Sequence, residues 1–275
     1  MVDMSLLEKT KLLLRNNRSL PKKSFGQNFI VDQSIYEGMI NYASLEKDDT
    51  VLDIGAGLGF LSRLLAEKCK NVLAVEADEQ VAAILREQLT AVCNTHVIVG
   101  DVLKTDIPRF NKIVSAPPYN ISSRLVPWML QQNCECGVLV FQKEFAAHLV
   151  ASIGSEEYGW LTVFTYHYAE VELLDEVSKT AFWPQPKVDS VITRLVLKRQ
   201  NSHIQMSDIA FRRLLQVLFT HRNRKVRGAI LPYLRGLRRA TKLRAVEIAE
   251  RLPYSDKRVR ELGPEDFEVL ANTIN

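Results

Sequence analysis

The stretch Val51-Leu-Asp-Ile-Gly-Ala-Gly-Leu-Gly59 restricts the fold of this chain more than any other. Residues 51–54 are short and largely apolar, as expected of a buried strand. Three alternating glycines follow, and Phe60-Leu61-Ser62 opens a helix. Such a strand–turn–helix unit aims the free N–H groups of the helix start at a ligand. Gly55, Gly57 and Gly59 allow a tight turn and a close approach of backbone to that ligand. A dinucleotide fingerprint needs Gly-x-Gly-x-x-Gly. Counting from Gly55 puts Phe60 at the third glycine, and counting from Gly57 puts Ser62 there. The spacing is instead Asp-x-Gly-x-Gly-x-Gly, the pattern of S-adenosylmethionine (SAM) binding. The plain alternative is a glycine-rich turn that holds no ligand.

The rest of the first 150 residues repeats the alternation. Strands are predicted at Thr50–Ile54, Val72–Glu76, His96–Val99, Lys112–Ser115 and Gly137–Phe141, with helices at about 33–43, 59–69, 78–92, 123–132 and 142–152. Alternating strands and helices of this length imply a parallel sheet covered on both faces, an α/β fold. Ligands of such sheets sit at the carboxyl ends of the strands. Gly55, Glu76 and Asp101 all fall there. Glu76 lies 21 residues after Gly55, where a carboxylate can accept both hydroxyls of a ribose. Asp101 sits where an adenine amino group needs an acceptor. As the N-cap of the helix at 78–92, Asp78 fits better than Glu76.

Other segments carry single candidates. Leu6, Leu7, Leu12, Leu13 and Leu14 mark an amphipathic helix within residues 1–20. After Pro21, the anchors Phe25, Phe29 and Ile30 flank Gln27 and Asn28, which can hydrogen-bond a ligand; Lys22 and Lys23 can meet phosphates. In Ala116-Pro-Pro-Tyr-Asn-Ile-Ser122 two prolines stiffen the chain and thrust Tyr119 outward, where a rigid ring can stack on a planar base. Phe182 is the candidate for a second aromatic wall, whereas Trp183 fits core packing. Strands are expected at about 161–168 and 170–176, with a final strand in 181–195. Gln200–His203 reads as a linker, and helices are expected at about 207–219, 222–234, 242–252 and 264–273. The domains are therefore 1–200 and 201–275.

Charge points to a partner. Between Ile209 and Val246 lie eleven Lys and Arg residues and no Asp or Glu. Of 36 basic residues this leaves 25 elsewhere, against 32 acidic ones. A solvated helical face normally mixes signs; a one-sign segment on an acidic body is the footprint of a polyanion. The candidate nucleic-acid contacts are Arg222, Arg224, Lys225 and Arg227, with Lys22 and Lys23. The N-terminal stretch lacks the apolar core and cleavage site of a signal peptide, and no apolar run reaches ~18 residues. The four cysteines form no Cys-x-x-Cys pair and the five histidines are scattered. The expectation is a cytoplasmic monomer with reduced thiols and no metal site.

Taken in order, several motifs resemble the ribosomal RNA adenine dimethyltransferases of the KsgA type. They are Lys23-Ser-Phe-Gly-Gln-Asn-Phe29, Asp53-Ile-Gly-Ala-Gly57, Glu76, Gly100-Asp101, Pro118-Tyr-Asn-Ile-Ser122, Phe182-Trp-Pro-Gln-Pro-Lys-Val-Asp-Ser190 and the basic helical tail. The resemblance spans nearly the whole chain, and His221-Arg-Asn-Arg-Lys225 is similar to archaeal members. It implies a Rossmann-like class I SAM-dependent methyltransferase sheet with a small all-α C-terminal domain. It implies SAM as cosubstrate, held by Asn28, Ile30, Gly55, Gly57, Glu76, Asp101 and Ala116. The substrate implied is small-subunit (16S) ribosomal RNA or a pre-ribosomal small subunit, dimethylated on N6 of two adjacent adenosines near its 3′ end.

The chain departs from that family at one place. The family has Asn-Leu-Pro-Tyr or Asn-Ile-Pro-Tyr, and here the first two positions are Ala116 and Pro117. The Asn acceptor for the target amine is missing. The backbone carbonyls of Ala116 and Pro117 suffice, Ser115 stands in, or activity is weaker; the first is favoured. The catalytic candidates are thus Ala116, Pro117, Tyr119 and Phe182. The alternatives are a large-subunit ribosomal RNA adenine methyltransferase and a catalytically weakened assembly factor.

Overall fold

The computed structural model describes residues 4–198, 204–236 and 241–274. The Gln200–His203 linker and the tail cations Arg238 and Arg239 lie outside the described residues. Short apolar runs bounded by turn residues become nine strands among the described residues: β1 (Phe29–Ile30), β2 (Thr50–Ile54), β3 (Asn71–Glu76), β4 (Thr95–Val99), β5 (Lys112–Ser115), β6 (Cys136–Gln142), β7 (Ala169–Val177), β8 (Phe182–Trp183) and β9 (Ser190–Leu197). Seven form one sheet in the order β4-β3-β2-β5-β6-β9-β7. From β4 to β6 the pairing is parallel, and β9 joins β6 antiparallel with Ser190 opposite Gln142. The chain runs outward from β2 to β4, then returns to β2 and builds in the other direction through β5. That reversal opens a crevice beyond the carboxyl ends of β2 and β5, the usual ligand position in open α/β sheets.

Helices α1 (Leu6–Asn16), α2 (Gln33–Ala43), α3 (Phe60–Ala66), α4 (Glu79–Leu89) and α5 (Ser122–Met129) accompany this sheet. The amphipathic N-terminal segment starts as α1 through a capping box, in which Ser5 and Glu8 satisfy each other's backbone N–H. Tyr36 and Met39 of α2 and Leu61 and Leu65 of α3 share a buried cluster with Val72, Val138 and Val140. Side chains alternate across a strand, so Gly137 points to the opposite face. There the sulfur of Met129 in α5 would lie 2.9 Å from a Cβ at Gly137. Both faces are therefore covered, which is why these strands read as nearly continuous apolar runs.

The contacts divide the chain into two compact units, 1–146 with 170–197, and 147–169 with 198–275. The second unit contains α7 (Trp160–Tyr168), reached through α6 (Lys143–Leu149), then α8 (Asp208–Thr220), α9 (Val226–Ala229), α10 (Leu231–Gly236), α11 (Lys242–Arg251) and α12 (Pro264–Ile274). Its core stacks Phe219 on Phe267 at 5.3 Å and sets Phe164 6.3 Å from Phe211. Burying each such ring contributes about 1.5–3 kcal/mol.

Two sequence expectations fail here. Residues 161–168, expected as a strand, are helix α7. Its Thr, Val and aromatic content mimics a strand, but Leu161 to Thr165 are buried in succession and Phe164 meets Tyr168 one turn on at 4.7 Å. Tertiary packing overrides propensity. The helix expected over 222–234 is two short helices. Residues 221–225 form a turn, with Arg224 N–H donating to His221 O, and Lys225 takes an extended conformation bridged to Arg258.

Candidate active site

The turn after β2 is shaped by its glycines and by Glu76. Gly55 adopts φ +70°, and a Cβ there would lie 2.8 Å from Pro118 Cδ, so only glycine lets the β2 and β5 loops approach this closely. Gly57 N–H donates to Glu76 Oε2 at 3.0 Å, and Asp78 N–H donates to Oε1 at 2.9 Å. Each carboxylate oxygen is thereby oriented yet keeps a lone pair for a ligand. Glu76 is 7% exposed. Burial raises its pKa against the pull of these hydrogen bonds. Gly59 is different. It caps α3 and faces Leu85 of α4 at 2.8 Å from an added Cβ. The expectation that it approaches a ligand gives way to helix packing.

Beneath the turn, Asp53 is 1% exposed and accepts the Ser62 hydroxyl at 2.7 Å. Burial, with repulsion from Glu76, pushes its pKa up to about 7, against the Ser62 bond. Asp101, at the end of β4, accepts Leu103 N–H at 3.0 Å on Oδ1. Its carboxylate is partly exposed and lies 3.7 Å from Lys104 Nζ.

The segment before α2 forms the facing wall. Gly26 packs against Pro118 and Asn120, and Asn28 Nδ2 donates to the Gly26 carbonyl at 3.1 Å. β1 pairs with β8, placing Phe29 opposite Trp183 and Ile30 opposite Phe182. Asp78 pins this wall from below. Lys22 Nζ and Gln27 Nε2 each lie 2.9 Å from one of its oxygens. Against the desolvation of burial, these bonds and the Gln80 N–H hold Asp78 below the usual carboxylate range. The ammonium of Lys22 is thus engaged inside the unit, whereas Lys23 is exposed.

After β5, Ser115 donates its hydroxyl to the Ile54 carbonyl at 2.7 Å and is fully buried. It is not free to replace the missing Asn side chain, and that alternative falls. Ala116 and Pro117 line the crevice. Tyr119 hydrogen-bonds Ser190 at 2.7 Å and meets Phe182 edge-on, with centroids 6.3 Å apart and planes at 67°. Two walls for one base would have to be parallel and about twice a stacking distance apart, so these rings do not flank a slot. Phe182, 4% exposed, braces Tyr119 instead of opposing it. Trp183 packs with Leu14, Leu58 and Ile84, as expected.

One cavity of about 370 Å³ collects these groups, a size within the range of small-molecule sites. Its lining includes Asn28, Ile30, Gly55, Gly57, Glu76, Asp101, Ala116, Pro117, Tyr119 and Phe182, but neither Lys22 nor Lys23. Asp78 and Ser190 lie behind the lining, bonded to Lys22 and Gln27 and to Tyr119; the sequence marks Asp78 only as a helix cap. Among the described residues no group of three His, Cys, Asp or Glu is placed to hold a metal. No described helix is long and apolar enough to cross a membrane.

In the second unit the basic candidates separate. The Arg222 guanidinium donates to the carbonyls of Ser155 and Glu156, at 2.5 and 2.7 Å, and so ties down a loop. Lys225 and Arg227 share Asp256, each at 2.9 Å, yet stay exposed. Arg224 is exposed and lines a groove with Arg235 and Lys242.

The family model "Ribosomal RNA adenine dimethylase" matches residues 18–262. A probable ribosomal RNA small subunit methyltransferase A of Methanothermobacter thermautotrophicus is 37% identical over 271 residues, covering 98% of this chain and 96% of that one. Its counterpart in Thermococcus kodakarensis is 37% identical, covering 90% and 87%. Among solved structures, a dimethyladenosine transferase from Plasmodium falciparum superposes with a TM-score of 0.73 at 27% identity, over 87% of this chain and 94% of that one. The 23S rRNA methyltransferase ErmE superposes with a TM-score of 0.63 at 30% identity, over 90% and 99%. The chain belongs to the ribosomal RNA adenine dimethylase family.

Proposed function

We propose that this chain transfers methyl groups from SAM to N6 of two adjacent adenosines near the 3′ end of small-subunit ribosomal RNA. One observation carries the reading. The Glu76 carboxylate, the Asp101 carboxylate and the half-buried ring of Tyr119 line one cavity at the carboxyl ends of β2–β5. The cavity's donor and acceptor set fits SAM. Glu76 has two oriented oxygens for the ribose hydroxyls, Asp101 an acceptor for the adenine amine, and Gly55 and Gly57 open backbone for the rest, beside Asn28 and Ile30.

Bound there, SAM supplies a methyl group already activated on its sulfonium. The chain's task is then alignment. Tyr119 offers one face for the target adenine to stack on, and base stacking on an aromatic contributes about 1–3 kcal/mol. The carbonyls of Ala116 and Pro117 accept the amine hydrogens. That draws the nitrogen toward a pyramidal shape and turns its lone pair to the methyl. The methylated nitrogen loses its proton easily, so no strong general base is needed. Exposed cations, Lys23 on the first unit and Arg224, Lys225 and Arg227 on the second, hold phosphates, which positions RNA without reading sequence. The chain works on the RNA or a pre-ribosomal particle as a cytoplasmic monomer.

The large-subunit alternative is not favoured. The small-subunit relatives are 37% identical over 98% and 90% of the chain, against 30% for the 23S enzyme. Labelled SAM offered with unmodified small and large subunits tests the choice. Label in the small subunit alone is expected. Label in the large subunit overturns the assignment, and subunit binding without transfer makes the chain an assembly factor.

A further inference from the structure

The Tyr119 ring is held at three points, one of them a polar contact. Its loop is stiffened by Pro117 and Pro118. Its edge meets Phe182 at 67°. Its hydroxyl lies 2.7 Å from Ser190 Oγ. Ser190 is itself fully buried. It opens β9, where its backbone is in register with Gln142 of β6. The hydroxyl of Tyr119 is therefore fastened to the central sheet, not to a mobile loop. A phenylalanine would supply the same stacking face, so stacking alone does not explain a tyrosine here. A buried hydroxyl left without its partner carries a desolvation penalty, which also disfavours ring orientations that break the bond.

We propose that Ser190 is a positioning residue for methyl transfer. By bonding the Tyr119 hydroxyl it fixes the plane on which the target adenine stacks, and with it the angle of the N6 lone pair to the methyl donor. Where the Asn side chain of the family motif is replaced by Ala116, no side-chain acceptor at that position corrects a tilted base, so the ring plane sets the alignment. The inference rests on the proposed adenosine methylation.

The test is a double-variant cycle on the full chain with unmodified small subunits. Ser190→Ala and Tyr119→Phe are each expected to lower kcat about three- to tenfold, the factor set by one net hydrogen bond. SAM affinity and the KM for subunits are expected to stay within twofold. The double variant should be no slower than either single one, because both remove the same bond. Ser190→Thr, which keeps the hydroxyl, should recover most of kcat. Singles that retain wild-type kcat overturn the proposal, and so does a double variant whose loss is the product of the two. If Ser190→Ala does not fold, Tyr119→Phe and Ser190→Thr decide alone: Tyr119→Phe at wild-type kcat overturns it. The wild-type chain in the same assay separates the two readings. No transfer by the wild type removes adenosine methylation itself, whereas normal wild-type transfer with unchanged variants removes only the role of Ser190.

Discussion

The carboxylate of Glu76 accepts the backbone N–H of Gly57 at 3.0 Å. This one bond joins the end of β3 to the glycine turn after β2, so the acid and the turn form a single rigid wall. A second N–H, from Asp78, holds the other oxygen at 2.9 Å.

Glu76→Gln is therefore expected to weaken SAM binding about ten- to hundredfold. An amide cannot accept on both sides, and hydrogen bonds to a charged acceptor are each worth ~1.5–3 kcal/mol. Titration calorimetry with SAM measures the change. Unchanged affinity would remove Glu76 from the nucleoside site.

Asp53 predicts a stability that depends on pH. Its folded pKa is raised to about 7 from 3.8, first by burial and then by Glu76. The folded chain thus holds this proton more tightly than the unfolded chain. The stabilisation is complete below pH 3.8 and is lost as pH rises through about 7, on the order of a few kcal/mol in all. Asp78 acts in the opposite sense, as does Asp49 beside β2, held low against its desolvation by the Glu46 N–H, Asn111 and Lys112; both lose their contribution on acidification. Urea unfolding between pH 5 and 8 should show Asp53→Asn flattening the decline. A variant with the wild-type slope would mean that Asp53 is ionised throughout.

Lys22 supports the cofactor wall through Asp78, so Lys22→Ala should weaken SAM binding about three- to tenfold. The salt dependence of RNA binding should not move. A phosphate contact would behave in reverse, lowering the slope of log K against log salt by about one with SAM affinity intact. Measuring both on one variant decides between the roles.

The basic groove of the second unit makes a separate prediction. Arg224, Arg235 and Lys242 are exposed along it. Glu substitutions at the three should weaken binding to small subunits and reduce the salt slope by up to about three. Arg222→Ala should instead lower the melting temperature, because its guanidinium holds the Ser155 and Glu156 carbonyls. RNA affinity that survives the triple reversal would place the RNA elsewhere.

The parts of this site legible in the sequence were those carried by backbone chemistry. Gly55 announces a close approach, Glu76 and Asp101 end strands of a recognisable period, and the two prolines before Tyr119 mark a stiff aromatic loop. What was not legible depended on which distant side chains meet. Nothing near Lys22 in sequence shows that its ammonium turns inward to Asp78, 56 residues on. Nothing at Phe182 shows that its ring sits edge-on to Tyr119. Residues 161–168 suggest a strand although they form a helix, because aromatic and β-branched residues suit a buried helix as well as a strand, and periodicity over eight residues does not separate them. Arg222 looked like its neighbours because charge is visible in a sequence and the two carbonyls it caps are not.

Mass analysis of nucleosides from small-subunit RNA, after incubation with SAM and either the wild-type chain or Tyr119→Ala, tests adenosine dimethylation most directly. The wild type is expected to give N6,N6-dimethyladenosine. Tyr119→Ala is expected to give little of it while still binding SAM. Wild-type reactions that leave adenosine unmodified, in subunits that bind the chain, would contradict the assignment, and equal product from Tyr119→Ala would contradict the stacking role.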